Sequence, residues 1–183
     1  IIKASPAVIG INLSFTEKKD LSDDNELYHV LKSLNHITIA LPLEINNINQ
    51  FVPVLTSQAD SIFPEINHSH TYIQRAKNGT VTLFRPYLNY KNHKYYAFSI
   101  DVLNFYYRSL NLTIPIKLLR FLTSLENSNN SQQQVLIDYR RAPGQFKHYS
   151  FLDLINNKIP ASQLENKIVL LGLTDQNLTS KYI

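Results

Sequence analysis

The stretch DLSDDNELYHVLKSLNHITIALPLE, Asp20 to Glu44, decides the fold. Leu27, Val30, Leu31 and Leu34 recur at i, i+3, i+4 and i+7, the period of an amphipathic helix, and Asp23 with Glu26 has the spacing of a capping box at its start. HITIALPLE then reads as a strand, and AVIGINLSF, Ala7 to Phe15, reads as another before the helix. Strand, helix and strand packed this closely make a βαβ unit, which implies a parallel pair joined by a right-handed crossover.

Working outward, IIKASP at the N-terminus looks like the last turn of a helix broken at Ser5-Pro6. Residues 46–66 carry Pro53 and Pro64 and no sustained period. SHTYIQRAKNGTVTLFRPYLNY, Ser69 to Tyr90, alternates about Asn78-Gly79, the signature of a tight hairpin turn with antiparallel arms between Tyr72 and Tyr87. YAFSIDVLNFYYRSL, Tyr96 to Leu110, is apolar nearly all round and predicts a buried helix. IPIKLLRFLTSLE predicts another, with Pro115 at its first position. Glu126 to Gln134 reads as a polar loop, and Val135 to Tyr139 as a buried strand running into Arg140, Arg141 and a Pro-Gly turn. Ser150 is placed to cap a short helix, and Ile168 to Leu171 form a closing apolar strand.

This pattern predicts an α/β fold, a mostly parallel sheet flanked by helices with an antiparallel hairpin attached. The central sheet is expected to contain Ala7–Phe15, Ile37–Leu43, Val135–Tyr139 and Ile168–Leu171. At 183 residues the chain suits a single domain spanning 1–183.

Composition removes several classes of function. A net charge of +4 without a Lys/Arg tract or interleaved aromatics gives no nucleic-acid footprint. With no cysteine there is no disulfide framework and no thiolate chemistry. Four glycines leave no Gly-rich phosphate loop, and no serine stands in a G-x-S-x-G elbow. No nucleophile, base and orienter constellation emerges, so a non-catalytic chain without cofactor is expected. No apolar run reaches the roughly 18 residues a membrane span needs. The chain lacks Met even at position 1, which predicts a piece of a longer protein.

His68 and His70 lie two apart and share a strand face, a possible start of a metal site; without a third ligand at useful spacing they read as solvated hairpin histidines, and no metal is expected. Asp101 falls in the first turns of its helix, where the macrodipole favours a carboxylate. Arg140 and Arg141, after Asp138-Tyr139 at a strand end, could grip a carboxylate or phosphate, or pair with Asp138 or Asp175; Arg85 has similar standing. The ligand-contact residues expected are Tyr139, Arg140, Arg141 and Thr174, because loops after parallel strands gather at one sheet edge. The N-x-S/T sequons at Asn12, Asn67, Asn78, Asn111, Asn129 and Asn177 follow from the Asn, Ser and Thr content.

Taken in order, AVIGINLSF with DDNELYHVLKSLNHITIALPL, KNGTVTLFRPYL with YAFSIDVLNFY, VLIDYRRAPGQFKHYSFLDLINNKIP, and LENKIVLLGLT resemble the second type of CHASE domain, over nearly the whole chain. The chain departs from that family's pattern at Asn12, Asn78, Asn157-Lys158 and Ser180, so an acidic metal site is not carried over. The resemblance implies an extracytoplasmic sensor of a bacterial transmembrane receptor, outside the cytoplasmic membrane. Flanking spans absent from this chain would attach it to the membrane, and the output module would be a histidine kinase, nucleotide or diguanylate cyclase, or Ser/Thr kinase. It implies a small-molecule or environmental signal, a homodimer in the full receptor, and membrane-spanning sequence soon after Ile183. The rival expectation is a stand-alone α/β enzyme or a solute-binding protein.

Overall fold

The computed structural model describes residues 1–13, 15, 21–45, 51–53, 63–74, 78–90, 93–127, 133–139 and 146–173. Its centre is a four-stranded parallel sheet built from β1 (Val8–Asn12), β2 (Ile37–Leu41), β5 (His68–His70) and β11 (Ile168–Gly172), in the order β11-β1-β2-β5. Ile9 faces Val169 on one side and Ile37 on the other, and Ile39 faces His68. The remaining strands are β3 (Leu43–Ile45), β4 (Phe51–Pro53), β6 (Ile73–Gln74), β7 (Leu83–Phe84), β8 (Tyr87–Tyr90), β9 (His93–Tyr96) and β10 (Val135–Leu136). The helices are α1 (Leu21–Lys32), α2 (Phe98–Ser109), α3 (Ile116–Asn127) and α4 (Phe151–Ile155).

The two faces of the central sheet differ chemically because strand side chains alternate. One face presents Ile9, Ile11, Ile37 and Ile39, which bury with Leu31 of α1 and with Phe63 and Ile66. A β-branched face of this kind suits a pleated sheet, and each fully buried side chain contributes about 1.5–3 kcal/mol. The helix turns Tyr28, Leu31 and Leu34 inward, while Leu27 and Val30 stay largely exposed. It also begins at Leu21, so Asp23 is not the cap; it lies with Asp24 in the first turn, where the dipole favours it.

The register puts Gly10, Thr38, Ala40 and Ser69 on the opposite face. These small residues let α2 lie close against the sheet. A Cβ on Gly10 would stand 2.7 Å from Phe98 Cζ and 2.9 Å from Leu170 Cδ2, so a larger residue there would force those side chains or the helix to shift. His36, just before β2, meets Phe105 edge-on, so α2 runs back across the sheet from the carboxyl end of β5 towards the start of β2.

The antiparallel hairpin is present: Ile73 pairs with Phe84 and Gln74 with Leu83. Its turn differs from a two-residue primed turn. Among the described residues of this turn only Gly79 takes a positive φ, at 80°, and Asn78 Oδ1 instead accepts from Thr80 N at 3.1 Å and Thr80 Oγ1 at 2.7 Å. β8 and β9 form a second hairpin, and Leu88 buries with Leu41 and Leu43. β3 and β4 form a third, within the stretch that shows no periodicity.

Two expectations of the sheet are corrected. Of Val135–Tyr139 only Val135–Leu136 is strand, and it pairs antiparallel with β7 rather than joining the parallel sheet. The free edge of β7 supplies its partners nearby, Ile137 N continues the ladder to Thr82 O at 2.8 Å, and Leu136 is 71% exposed. The closing strand does join the parallel sheet, but as an edge, with Leu170 62% exposed. The polar loop also starts later than expected, since α3 runs to Asn127.

Candidate functional site

Among the described residues the buried carboxylate is Asp101, in the first turn of α2 and 7% exposed. Its Oδ2 accepts from Ser69 Oγ at 2.6 Å and from Asn67 Nδ2 at 3.0 Å. The same amide donates to Thr38 Oγ1 at 2.9 Å, and the Thr38 and Ser69 hydroxyls are in direct hydrogen-bond contact. Counting protons fixes the directions. Ser69 spends its one proton on Asp101, so it accepts from Thr38, and a chain runs from Thr38 to Ser69 to Asp101. The local sequence explains the placement: Ser69 pairs with Ala40, two residues along β2 from Thr38 on the same small-residue face, and Asp101 is in the turn of α2 that crosses them.

Burial pushes the Asp101 carboxyl up from its ordinary range, opposed by the Ser69 and Asn67 hydrogen bonds and by the charge of Arg108. The donor set argues against a cation, because an amide N–H and a hydroxyl proton point at the carboxylate. Among the described residues no group of three His, Cys, Asp or Glu could hold a metal. Ser69 has no histidine in its hydrogen-bond chain and is 0% exposed, so nothing activates it as a nucleophile. The arrangement is a latch, joining the edge strand and β2 to α2 through a buried carboxylate.

His70 occupies the next position on β5, on the other face of the sheet, where its backbone bridges to Ala97 just before α2. It is 1% exposed, and neither ring nitrogen makes a hydrogen bond of full geometry. Burial drives its pKa down to about 4; the Arg85 backbone opposes this and the Arg85 charge adds to it. The expectation of solvated histidines is therefore wrong for His70: residues 68–70 belong to the central sheet, not to the hairpin. Asp101 does lie in the first turn of α2, as expected, and adds hydrogen bonds from Ser69 and Asn67.

Of the expected ligand-contact residues, Tyr139 is exposed, with its hydroxyl donating to Val81 O at 2.7 Å. Arg140, Arg141 and Thr174 lie outside the described residues. Because β10 is not in the parallel sheet, a shared carboxyl edge no longer links Tyr139 to the end of β11. An open groove of about 500 Å³ beside α4 is lined by Lys147, Tyr149, Asp153, Lys158 and Gln163. Its polar groups already satisfy one another: Lys147 and Tyr149 donate to Gln163, and Lys158 pairs with Asp153.

Sequence reasoning missed Thr38, Asn67 and Ser69. The available signal was Asp101 itself, a lone carboxylate in the apolar run SIDVLNF, which must find donors if that helix is buried. Which donors it finds depends on sheet register, which no local pattern encodes.

The family described as CHASE2 domain matches residues 1–182. No curated protein and no solved structure matches the chain. The chain belongs to the CHASE2 family, a family of extracytoplasmic sensor domains of receptors.

Proposed function

We propose that this CHASE2 domain is the non-catalytic signal-sensing part of a bacterial transmembrane receptor, held outside the cytoplasmic membrane and coupled to a kinase or cyclase module inside. The observation that carries this reading is the latch. A sensor needs two arrangements whose balance a signal can shift, and a signal shifts it only by differing in affinity for the two. The Thr38–Ser69–Asp101 chain has two self-consistent settings. With Asp101 ionised, both hydroxyl protons run towards it; with Asp101 protonated the chain can reverse, Asp101 donating to Ser69, Ser69 to Thr38 and Thr38 to Asn67 O, whereas a competing donor that draws Asp101 away breaks the tie of α2 to β5. The helix above is held by those bonds as well as by its buried Ile100 and Val102. Arg140 and Arg141 remain the proposed contacts for an anionic signal, with Tyr139 and Thr174, because guanidinium groups bind carboxylate and phosphate bidentately.

The test uses the full-length receptor. Ser69→Ala and Asp101→Asn should each shift basal output in the same direction and flatten the response to signal. Unchanged basal output and response in both variants would remove the latch from signalling. Arg140→Ala and Arg141→Ala should weaken the response without moving basal output. Robust turnover by the isolated domain in a broad substrate panel, abolished by one substitution, would overturn the non-catalytic reading.

A further inference from the structure

α3 has two faces of different character. Leu125 points inward and is 0% exposed, with Leu118, Phe121 and Leu122 partly buried on the same side. Its C-terminal end is pinned, because Lys94 Nζ donates to Leu125 O at 2.9 Å and Glu126 O at 3.0 Å while lying over the Tyr87 ring. The opposite face carries Ile116 at 61% and Leu119 at 44% exposure, and Leu112 stands at 44% just before the helix. Lys117 and Arg120 are exposed beside this apolar pair, and Arg108 is exposed near the end of α2. From Val102 to Leu125 these are the charged residues of the sequence, with no carboxylate among them. A stretch that shows water two leucines and an isoleucine beside two cations, with the one carboxylate of α3, Glu126, two turns beyond Leu119 at the far end, is complementary to a surface that is both apolar and anionic.

We propose that the outward face of α3, with Leu112, docks on an anionic lipid bilayer surface. At 100° per residue, Ile116, Leu119 and Thr123 fall on one side of the helix, so a shallow insertion takes both apolar side chains together. Arg120 and Lys117 lie to one flank, where their stems can lie along the acyl boundary and their charges reach headgroup phosphates. Each cation near an anionic surface contributes about fivefold in affinity, and the apolar contacts supply the rest. The interaction depends on neither the latch nor the identity of the signal, so it stands or falls apart from the proposed function.

The experiment is flotation of the 183-residue chain with vesicles of phosphatidylcholine alone or mixed with phosphatidylglycerol. The chain should float with the anionic vesicles, not with the neutral ones, and salt should weaken the association. Ile116→Ser with Leu119→Ser should reduce binding about tenfold, and Lys117→Glu with Arg120→Glu by at least about tenfold. Phe151→Ser with Leu152→Ser, on the exposed side of α4, should leave it unchanged. Because the chain has no cysteine, Thr123→Cys carrying an environment-sensitive fluorophore gives a second readout that needs no destabilising change. Its emission should shift to the blue on anionic vesicles, and the same label at Glu165→Cys should not shift. The proposal is overturned by absence of binding to anionic vesicles, by binding insensitive to both α3 pairs, or by equal loss in the α4 variant. It is also overturned if the α3 face mediates self-association, seen as a dimer in sedimentation that the Ile116 and Leu119 changes dissolve.

Discussion

Acidification should destabilise this domain through His70, and the size of the effect follows from its burial. The imidazole has a pKa of about 4 in the folded chain against 6.5 when unfolded. Above pH 6.5 it is neutral in both states and its contribution is fully present. As the pH falls below 6.5 the unfolded chain takes up a proton that the folded one refuses, so stability declines until the folded pKa is passed. At 1.36 kcal/mol for each pH unit, the loss is about 2 kcal/mol by pH 5 and about 3.4 kcal/mol once pH is below 4. Against a typical domain stability of about 5–15 kcal/mol, that is a large fraction. Asp101 acts in the other sense: its raised carboxyl pKa makes its contribution grow as pH falls towards 3.8, so it offsets His70 only at the acid end. The assay is urea unfolding at steps between pH 7.5 and 5 for the wild type and His70→Leu, whose difference cancels Asp101 and the other histidines. The variant should be at least as stable at pH 7.5, since it removes two unsatisfied buried nitrogens, and more stable than wild type by about 2 kcal/mol at pH 5. Parallel pH dependences for the two proteins, or an NMR titration placing the His70 imidazole near 6.5, would refute the reasoning.

Further outcomes follow from single contacts. Ser69→Ala removes the 2.6 Å donor to Asp101; it should cost about 1.5–3 kcal/mol in urea unfolding and raise the Asp101 pKa further, read by carboxyl carbon NMR. Gly10→Ala sets a methyl 2.7 Å from the Phe98 ring, so α2 must shift or the ring rotate, at about 1–3 kcal/mol in thermal or urea unfolding. Lys94→Met keeps the contact with the Tyr87 ring but frees the Leu125 and Glu126 carbonyls, and should speed hydrogen exchange in the last turn of α3 while leaving α1 unchanged.

What the sequence revealed follows from how local the governing forces are. The βαβ unit was legible because Ile37, Ile39, Ile9 and Ile11 mark a buried strand wherever they occur, and Leu31 and Leu34 mark the helix face that covers them. Ser150 as a cap was legible for the same reason: its hydroxyl meets Leu152 N at 3.2 Å, two residues on. Val135–Tyr139 was misread because an apolar run does not say which sheet edge it joins, and β7 offered antiparallel partners. Leu27 and Val30 were misread by a rotation of the helix, since Tyr28 could fill the same space as a leucine. The latch was illegible because Thr38, Asn67, Ser69 and Asp101 meet only after parallel pairing has aligned β2 with β5 and α2 has crossed both.

The asymmetry of the central sheet decides which element can respond. On the α1 side, branched aliphatic side chains interlock with Leu31, Phe63 and Ile66, and displacing the helix would open a cavity at each contact. On the α2 side, Gly10, Thr38, Ala40 and Ser69 let the helix come close, and it is located by the buried Ile100 and Val102, by Phe98 over Gly10 and by the bonds to Asp101. Polar bonds of this kind change with protonation or with a competing donor, whereas packing does not. α2 is therefore held in part by bonds that a polar change can break. Its first residues adjoin both ends of the edge strand chemistry, since Ala97 bridges to His70 and Asp101 binds Ser69. A change at either β5 residue reaches the helix within one turn, through Ala97 for His70 and through Asp101 for Ser69, so the edge strand and α2 are coupled through the buried end of the sheet.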